Sequence, residues 1–384
     1  MNRTFRYRLY PTSRQVIVLE AMLRDHCDLY NAALQERRDA FRMRGTSIRY
    51  GMQSNQLKDI RNADPLGQGR WSFSSQQQTL RRLDKAFTAF FARIKKGKKP
   101  GYPRFRSSRR FDTVTFIDGD GGKWLGNTVR VQGVGCIKVK VHRPVRGTIK
   151  QFSVTRQGKH WYVNATCVDV PVQPKPFTNA VVGLDRGVTH LVADSDGRFV
   201  NNIRPLQAAQ ERLTKAQRDL THKKRESHRR RKAIARLTVL HRKIKDVRKD
   251  HLHKVARSYV NTYDVIVVED LKIRNMTRSA SGTADEPGTN VAQKSGLNRS
   301  ILDASWGVLL ELIRQKAEEA VVEVIEVNPC NTSRTCHVCG HVAAGNRNGE
   351  AFRCQRCGHS AHADTNAAQN ILRLGLSRQA AVAS

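Results

Sequence analysis

Apolar and polar positions alternate through "FRYRLYP", which predicts a short strand ending at Pro11. Thr12 or Ser13 then caps a helix expected to run to about Arg44, because Val16, Leu19, Leu23, Cys27, Tyr30 and Leu34 recur at helical spacing. A second helix is predicted over roughly 74–95, with Leu80, Leu83, Phe87, Phe90, Phe91 and Ile94 on its apolar face. The stretch "KKGKKPGYPRFRS" (95–107) interrupts that period with glycine, proline and six basic residues. From 111 to 171 the pattern shortens to β-rich runs: "DTVTFI", "TVRVQG", "CIKVKV", "QFSVTR" and "HWYVNATCVDV". Turn signals at intervals of about ten residues predict a small antiparallel barrel, closed by the proline-rich linker "VPVQPKPF".

A different pattern begins at Asn179. "AVVGLD" predicts a buried strand, and "THLVADS" and "DGRFV" predict two more. Residues 206–262 read as basic helices with a bend at "HKKRESHRRRK" (222–232) and an inward face of Ile234, Leu237, Ile244 and Val247. "DVIVVEDLKI" holds a buried strand that ends at Glu269, and the polar stretch 275–296 is too poor in hydrophobics to order alone. A helix over about 300–319 and the strand "AVVEVIEV" follow. Strand, hairpin, helix, strand, helix and strand predict an α/β domain with a mainly parallel sheet, so the whole chain reads as multidomain α+β.

Charge narrows the partners. Among 384 residues, 69 Lys and Arg stand against 33 Asp and Glu, a formal net charge of +36. Such an excess points to a polyanion, because each phosphate neutralised releases a condensed counterion. An acidic membrane is disfavoured, since the basic residues are spread along the chain rather than gathered in one cluster. No secretory h-region opens the sequence and no apolar run approaches a membrane span, so no membrane partner is expected. The expected location is the cytoplasm, associated with nucleic acid, where cysteines stay reduced.

The candidate chemistry lies in four cysteines and three acids. Cys336/Cys339 and Cys354/Cys357 form C-x2-C-x14-C-x2-C, with Gly340 and Gly358 allowing a tight turn after each pair. Four thiolates at this spacing point to one structural Zn²⁺, with iron the alternative. Cys27, Cys136, Cys167 and Cys330 are scattered and read as core or surface thiols. Asp185 and Glu269 each end a buried strand, where open α/β sheets place ligands, and Asp364 opens the helix "TNAAQNILRL". Singly, each acid has an ordinary explanation: a turn residue, a strand-end surface charge, a helix N-cap. Together they form a cage suited to a pair of Mg²⁺ ions and phosphodiester chemistry.

"GLDRGV", "VVEDL" and "ADTNAAQNI" resemble the three motifs of the RuvC-like, RNase H-fold nuclease in TnpB proteins of bacterial insertion sequences, kin to compact type V CRISPR effectors. The four-cysteine ribbon before the third acid, "RYRLYPTSRQ" and "YPRFRS" (102–107) resemble further parts of that family. The resemblance implies an RNA-guided DNA endonuclease that carries a structured, element-derived guide RNA and cuts double-stranded DNA beside a short flanking motif. It implies catalysis by Asp185, Glu269 and Asp364, and contact of Arg347 with the scissile phosphate. It also implies a wedge barrel from 1–10 and 101–177, a helical recognition domain over 11–100, a RuvC-like domain from 178–328 and 361–384, and a zinc ribbon over 329–360. Ala363 stands where the family often has Arg. The alternatives are a compact type V CRISPR effector, and a zinc-ribbon regulator or transposase that does not cut under RNA guidance.

Overall fold

The alternation in "RTFRYRLY" becomes β1 (Arg3–Tyr10), which turns Phe5, Tyr7 and Leu9 inward. Thr12 caps α1 (Ser13–Arg44) through a reciprocal pair of bonds: its hydroxyl accepts from Gln15 N at 3.3 Å, and Gln15 Oε1 accepts from Thr12 N at 3.0 Å. Next come α2 (Tyr50–Ala63), α3 (Phe73–Lys95), β2 (Thr113–Ile117), β3 (Gly122–Trp124), β4 (Thr128–Val131), β5 (Gly135–Lys140), β6 (Thr148–Gln157) and β7 (His160–Val168). The strands form one antiparallel sheet in the order β2-β6-β7-β1-β5-β4-β3. Its two ends, β2 and β3, are consecutive in the chain and bridged between Ile117 and Asp120, which makes a nearly closed barrel. β1 therefore pairs with strands more than a hundred residues away.

The computed structural model describes residues 1–283 and 285–383. Ala284, within the polar stretch 275–296, and Ser384, at the end of the expected segment 361–384, lie outside the described residues. The chain forms two compact units, Met1–Pro171 and the residues from Val172 onward. In the first, helices and barrel share one continuous core, with Leu19, Leu23, Cys27, Tyr30 and Leu34 of α1 among its buried members. Two expectations fail here. α2 was not foreseen, because it buries only one apolar side chain, Leu57, beside polar contacts: buried Gln53 donates to Ala33 O at 2.8 Å and accepts from Arg37 Nε at 2.8 Å. Phe91 and Ile94 of α3 are exposed, since the helix outruns the core and its last aromatics pack on each other and on Tyr102.

The second unit opens with β8 (Val181–Asp185), β9 (His190–Asp194) and β10 (Phe199–Asn201). The helices α4 (Pro205–Ala208), α5 (Gln210–Thr221) and α6 (His228–Thr262) lead to β11 (Val265–Glu269). Then follow α7 (Ile273–Met276), α8 (Val291–Ala304), α9 (Trp306–Ala320), β12 (Glu323–Val327), β13 (Arg347–Asn348), β14 (Ala351–Arg353), β15 (Ser360–His362) and α10 (Ala363–Ala383). The sheet order is β10-β9-β8-β11-β12. Only β8/β11 and β11/β12 are parallel, so the sheet is mixed rather than mainly parallel. Short turns join β8 to β9 and β9 to β10, and a short turn forces antiparallel pairing.

The bend expected over 222–232 is shorter than foreseen: 222–227 lie between α5 and α6, while 228–232 already belong to α6, which Ser227 caps. Arg230 holds this bend, donating to Leu220 O at 3.0 Å and Lys223 O at 3.1 Å. The expected inward face of α6 is only partly right. Ile244 is buried and Leu237 half-buried, but Ile234 and Val247 are exposed. The buried residues of this 35-residue helix concentrate toward its C-terminal end, at Leu252, Val255, Ala256, Tyr259 and Val260, which belong to the same core as Leu309 and Ile313 of α9. Order begins earlier than foreseen in the polar stretch, at α8, which breaks from α9 at Ser305 (φ 57°). Among the described residues, no helix is long and apolar enough to cross a membrane.

α10 lies directly against β8, and at Gly375 it receives the Val267 side chain of β11. A Cβ on Gly183 of β8 would come 2.1 Å from Ala368 O, and one on Gly375 would come 2.5 Å from Val267 Cγ1. Strand and helix therefore meet backbone to backbone beside Asp185. Gly183→Ala is expected to cost at least ~2 kcal/mol of stability through overpacking. Gly296→Ala, in α8 with nothing within 4 Å, should instead raise stability by roughly 0.5–1 kcal/mol. Urea unfolding of the two variants checks the contrast, and equal midpoints would contradict it.

Candidate active site and metal centre

Parallel pairing of β8 with β11 sets Leu184 opposite Val268, so the next residues, Asp185 and Glu269, end neighbouring strands side by side. α10 adds Asp364 from its first turn, over the glycine contact with β8. The three acids come close enough for their charges to act on one another. Burial, then the charges of Glu269 and Asp364, push the Asp185 carboxyl from its ordinary 3.8 up to about 7, against a smaller pull from Arg347 and Arg186. Burial also raises Glu269, opposed by Thr332 and Arg186. The ordinary explanations weaken accordingly. Glu269 is 7% exposed, so it is not a surface charge, and Asp364 lies inside the first turn rather than at the cap.

Four side chains outside the trio hold it. Thr332 Oγ1 donates to Glu269 Oε1 at 2.6 Å. Arg186, also buried, donates to the backbone carbonyl of Glu269 and, at 3.5 Å, to that of Trp306. Arg347 pairs with Asp364 Oδ1 at 2.8 Å. His362 Nδ1 accepts from Asp364 N at 3.2 Å and so serves the start of α10. Sequence reasoning singled out only Arg347 of these. Arg186 stands beside Asp185 in "GLDRGV", but Thr332 carries no local pattern.

The four cysteines converge. Their sulfurs all lie within 4.8 Å of one another, with Cys339–Cys354 at 3.5 Å and Cys336–Cys357 at 3.7 Å. A tetrahedron with Zn–S bonds of ~2.3 Å has edges of about 3.8 Å, so the set fits one zinc ion. Both knuckles use one design. Gly340 N donates to Cys336 O and Gly358 N to Cys354 O, while Cys336 N and Cys354 N donate to His341 O and His359 O. Gly340 and Gly358 each take φ 73°, the left-handed turn expected of them. Of the remaining cysteines, Cys27 and Cys167 are buried, and Cys136 and Cys330 are exposed.

The ribbon is tied to α10 by two buried amides one turn apart. Asn366 accepts from His337 N at 3.1 Å and donates to Thr335 O at 2.8 Å, and Asn370 donates to Thr332 O at 3.0 Å and Thr335 O at 2.6 Å. Through Thr332 and Arg347 the same module touches Glu269 and Asp364. It therefore holds two of the three acids.

A family described as "Probable transposase" matches residues 165–280, "Cas12f1-like, TNB domain" matches 306–371, and "Helix-turn-helix domain" matches 1–46. The chain is 32% identical to "Putative RNA-guided DNA endonuclease InsQ" of Escherichia coli (strain K12), over 97% of this chain and 92% of that protein. It is 30% identical to "Putative RNA-guided DNA endonuclease" of Streptomyces pristinaespiralis, over 99% and 91%. The solved structure of "the mini-RNA-guided endonuclease CRISPR-Cas_phi3" shares the fold with a TM-score of 0.50 at 11% identity, covering 98% of this chain and 92% of the other.

Two outcomes follow from the site. The Asp185 carboxyl is raised, so its protonated form stabilises the fold below about pH 4, and this contribution is lost as pH rises toward about 7. A divalent cation needs the ionised form. Mg²⁺ should therefore raise the melting temperature of zinc-loaded protein more at pH 8 than at pH 6, and an equal rise at both would contradict the burial of Asp185. Cys354→Ser should lose stoichiometric zinc by elemental analysis. Because structural zinc binding is worth on the order of 10 kcal/mol in small modules, the C-terminal third should also become sensitive to proteolysis. Full zinc content in that variant would remove the four-cysteine assignment.

Proposed function

Because this chain belongs to the TnpB family, we propose that it is an RNA-guided DNA endonuclease whose RuvC-like site is Asp185, Glu269 and Asp364. Its partners are a structured guide RNA and target double-stranded DNA beside a short flanking motif, and its place is the bacterial cytoplasm at the nucleoid. The near-complete match to InsQ favours this reading over a compact CRISPR effector. The observation that carries the site assignment is the parallel register of β8 and β11, which ends both strands side by side at Asp185 and Glu269, with Asp364 near enough to help raise the Asp185 carboxyl. The same crowding speaks against a regulator that never cuts, for which gathering one buried and two partly buried acids serves no purpose.

An all-carboxylate donor set suits hard oxygen-binding cations, and Asp185, Glu269 and Asp364 would hold Mg²⁺ here. When bound, the metal supplies activation of water and stabilisation of the leaving oxygen of a phosphodiester. The chain's own residues orient the ligands. Arg186 and Thr332 fix Glu269 from its backbone and its carboxylate, and the ribbon holds α10 so that Asp364 faces the strand ends. The ribbon over 329–360 is read as a clamp on the nuclease segments 178–328 and 361–384, with the barrel (1–10 and 101–177) and helices (11–100) as wedge and recognition parts. Sequence recognition falls to RNA–DNA pairing, while the basic surface grips backbone.

Asp185→Ala, Glu269→Gln and Asp364→Ala should each lower cleavage of matched DNA at least about a thousandfold while guide-directed binding persists. The three act as one unit, so a double variant should be little worse than either single. Cleavage of a labelled duplex by protein carrying its RNA, alongside filter binding, separates the two effects. Substantial cutting by Asp185→Ala, or cutting that survives EDTA, would sink the assignment.

A further inference from the structure

We propose that Arg347 is an internal cation that holds Asp364 until a substrate phosphate draws it away, so that loading of a divalent ion is coupled to the arrival of nucleic acid. This rests on Asp364 being a metal ligand. The guanidinium contacts Asp364 Oδ1 at 2.8 Å, and its Nε donates to Gly349 O at 3.1 Å. The pair is partly dehydrated, with side-chain exposures of 31% for Arg347 and 16% for Asp364.

Charge decides which states are allowed. With all groups ionised, three carboxylates against Arg186 and Arg347 leave one net negative charge in the site. Withdrawing Arg347 leaves two, which one divalent ion neutralises. A guanidinium and a divalent ion at the same carboxylate repel each other at contact range, so each weakens the other's binding. Withdrawing Arg347 alone is also unfavourable, because it strands a partly buried carboxylate without its partner. The exchange becomes favourable when both groups are satisfied at once. A phosphate offers the guanidinium two oxygens in matching geometry, and the ion takes the carboxylate.

The root of the side chain stays fixed while its tip moves. Asn346, buried and adjacent, donates to Arg334 O at 3.0 Å and His341 O at 3.2 Å and accepts from Gln355 N at 3.0 Å, joining both knuckles. Gly349 (φ 61°) turns the chain directly after Arg347 and Asn348. Arg347 therefore swings from a backbone that the ribbon immobilises, and its exposed edge meets whatever enters the acid site.

The test uses full-length, zinc-loaded protein with its bound RNA, titrated with MnCl₂ and read by electron paramagnetic resonance of free Mn²⁺. Binding that disappears in Asp185→Ala is taken as the site's own. In the wild type, a phosphorothioate DNA strand that resists cleavage should tighten this Mn²⁺ binding by about tenfold, the value of one charged hydrogen bond. Arg347→Gln should bind Mn²⁺ comparably tightly without DNA, and DNA should add nothing. Arg347→Lys, which keeps the charge without the fork, should fall between them and serves if Arg347→Gln does not fold. Unchanged or weaker Mn²⁺ binding in Arg347→Gln overturns the gate alone. Mn²⁺ binding indifferent to both Asp185→Ala and Glu269→Gln overturns the reading of the acids, and the gate with it.

Discussion

Burial and like charge acting together on one carboxyl, that of Asp185, form the constraint around which the acid-bearing part of the second unit is organised. Burial and the neighbouring charges of Glu269 and Asp364 both push the Asp185 carboxyl toward its neutral form. The acids are therefore mounted on rigid parts: two adjacent strand ends and the first turn of a helix seated directly on one of those strands. The missing Cβ of Gly183 matters for this reason, since any thicker contact would lift α10 and carry Asp364 away from Asp185.

The ribbon extends the same logic to the loops. Its four sulfurs suit a closed tetrahedral site with no position left for chemistry, and its value lies in what it holds. Metal-linked knuckles need little core of their own, and the ribbon's buried cluster is small, centred on Cys336, Phe352, Cys354 and Ala363. That economy leaves its polar groups available, and Thr332, Asn346 and Arg347 spend theirs on the acid site or on the ribbon's own frame.

Much of this was legible in the sequence wherever the cause is local. The cysteine pairs with their glycines, the strands ending at Asp185 and Glu269, and the cap of α1 by Thr12 all depend on neighbours within a few residues. The rest depends on partners far away in the chain. Thr332 meets Glu269 and Asn370 because a sheet, a ribbon and a helix converge, and no periodicity marks a threonine for that. α2 escaped notice because its buried side chains are Gln53, Ser54 and a single leucine, Leu57, rather than an apolar stripe. Ile234 and Val247 fit the helical period, yet the core receives mainly the C-terminal end of α6, a fact about packing that spacing along one helix does not contain.

The order of the three acids along the chain has a temporal meaning. A ribosome releases Asp185 first, Glu269 after 84 more residues and Asp364 after another 95. At roughly 5–20 residues per second, some 9–36 seconds separate the first acid from the last. During that interval the barrel, the long basic helix α6 and most of the mixed sheet have already emerged, and the nascent chain carries at most two of its three acids. A translation product interrupted soon after Glu269 carries α6 but lacks Asp364, the helix that carries it and both cysteine pairs of the ribbon. Vectorial synthesis thus completes the trio of acids only after the strands that carry its first two members have been made.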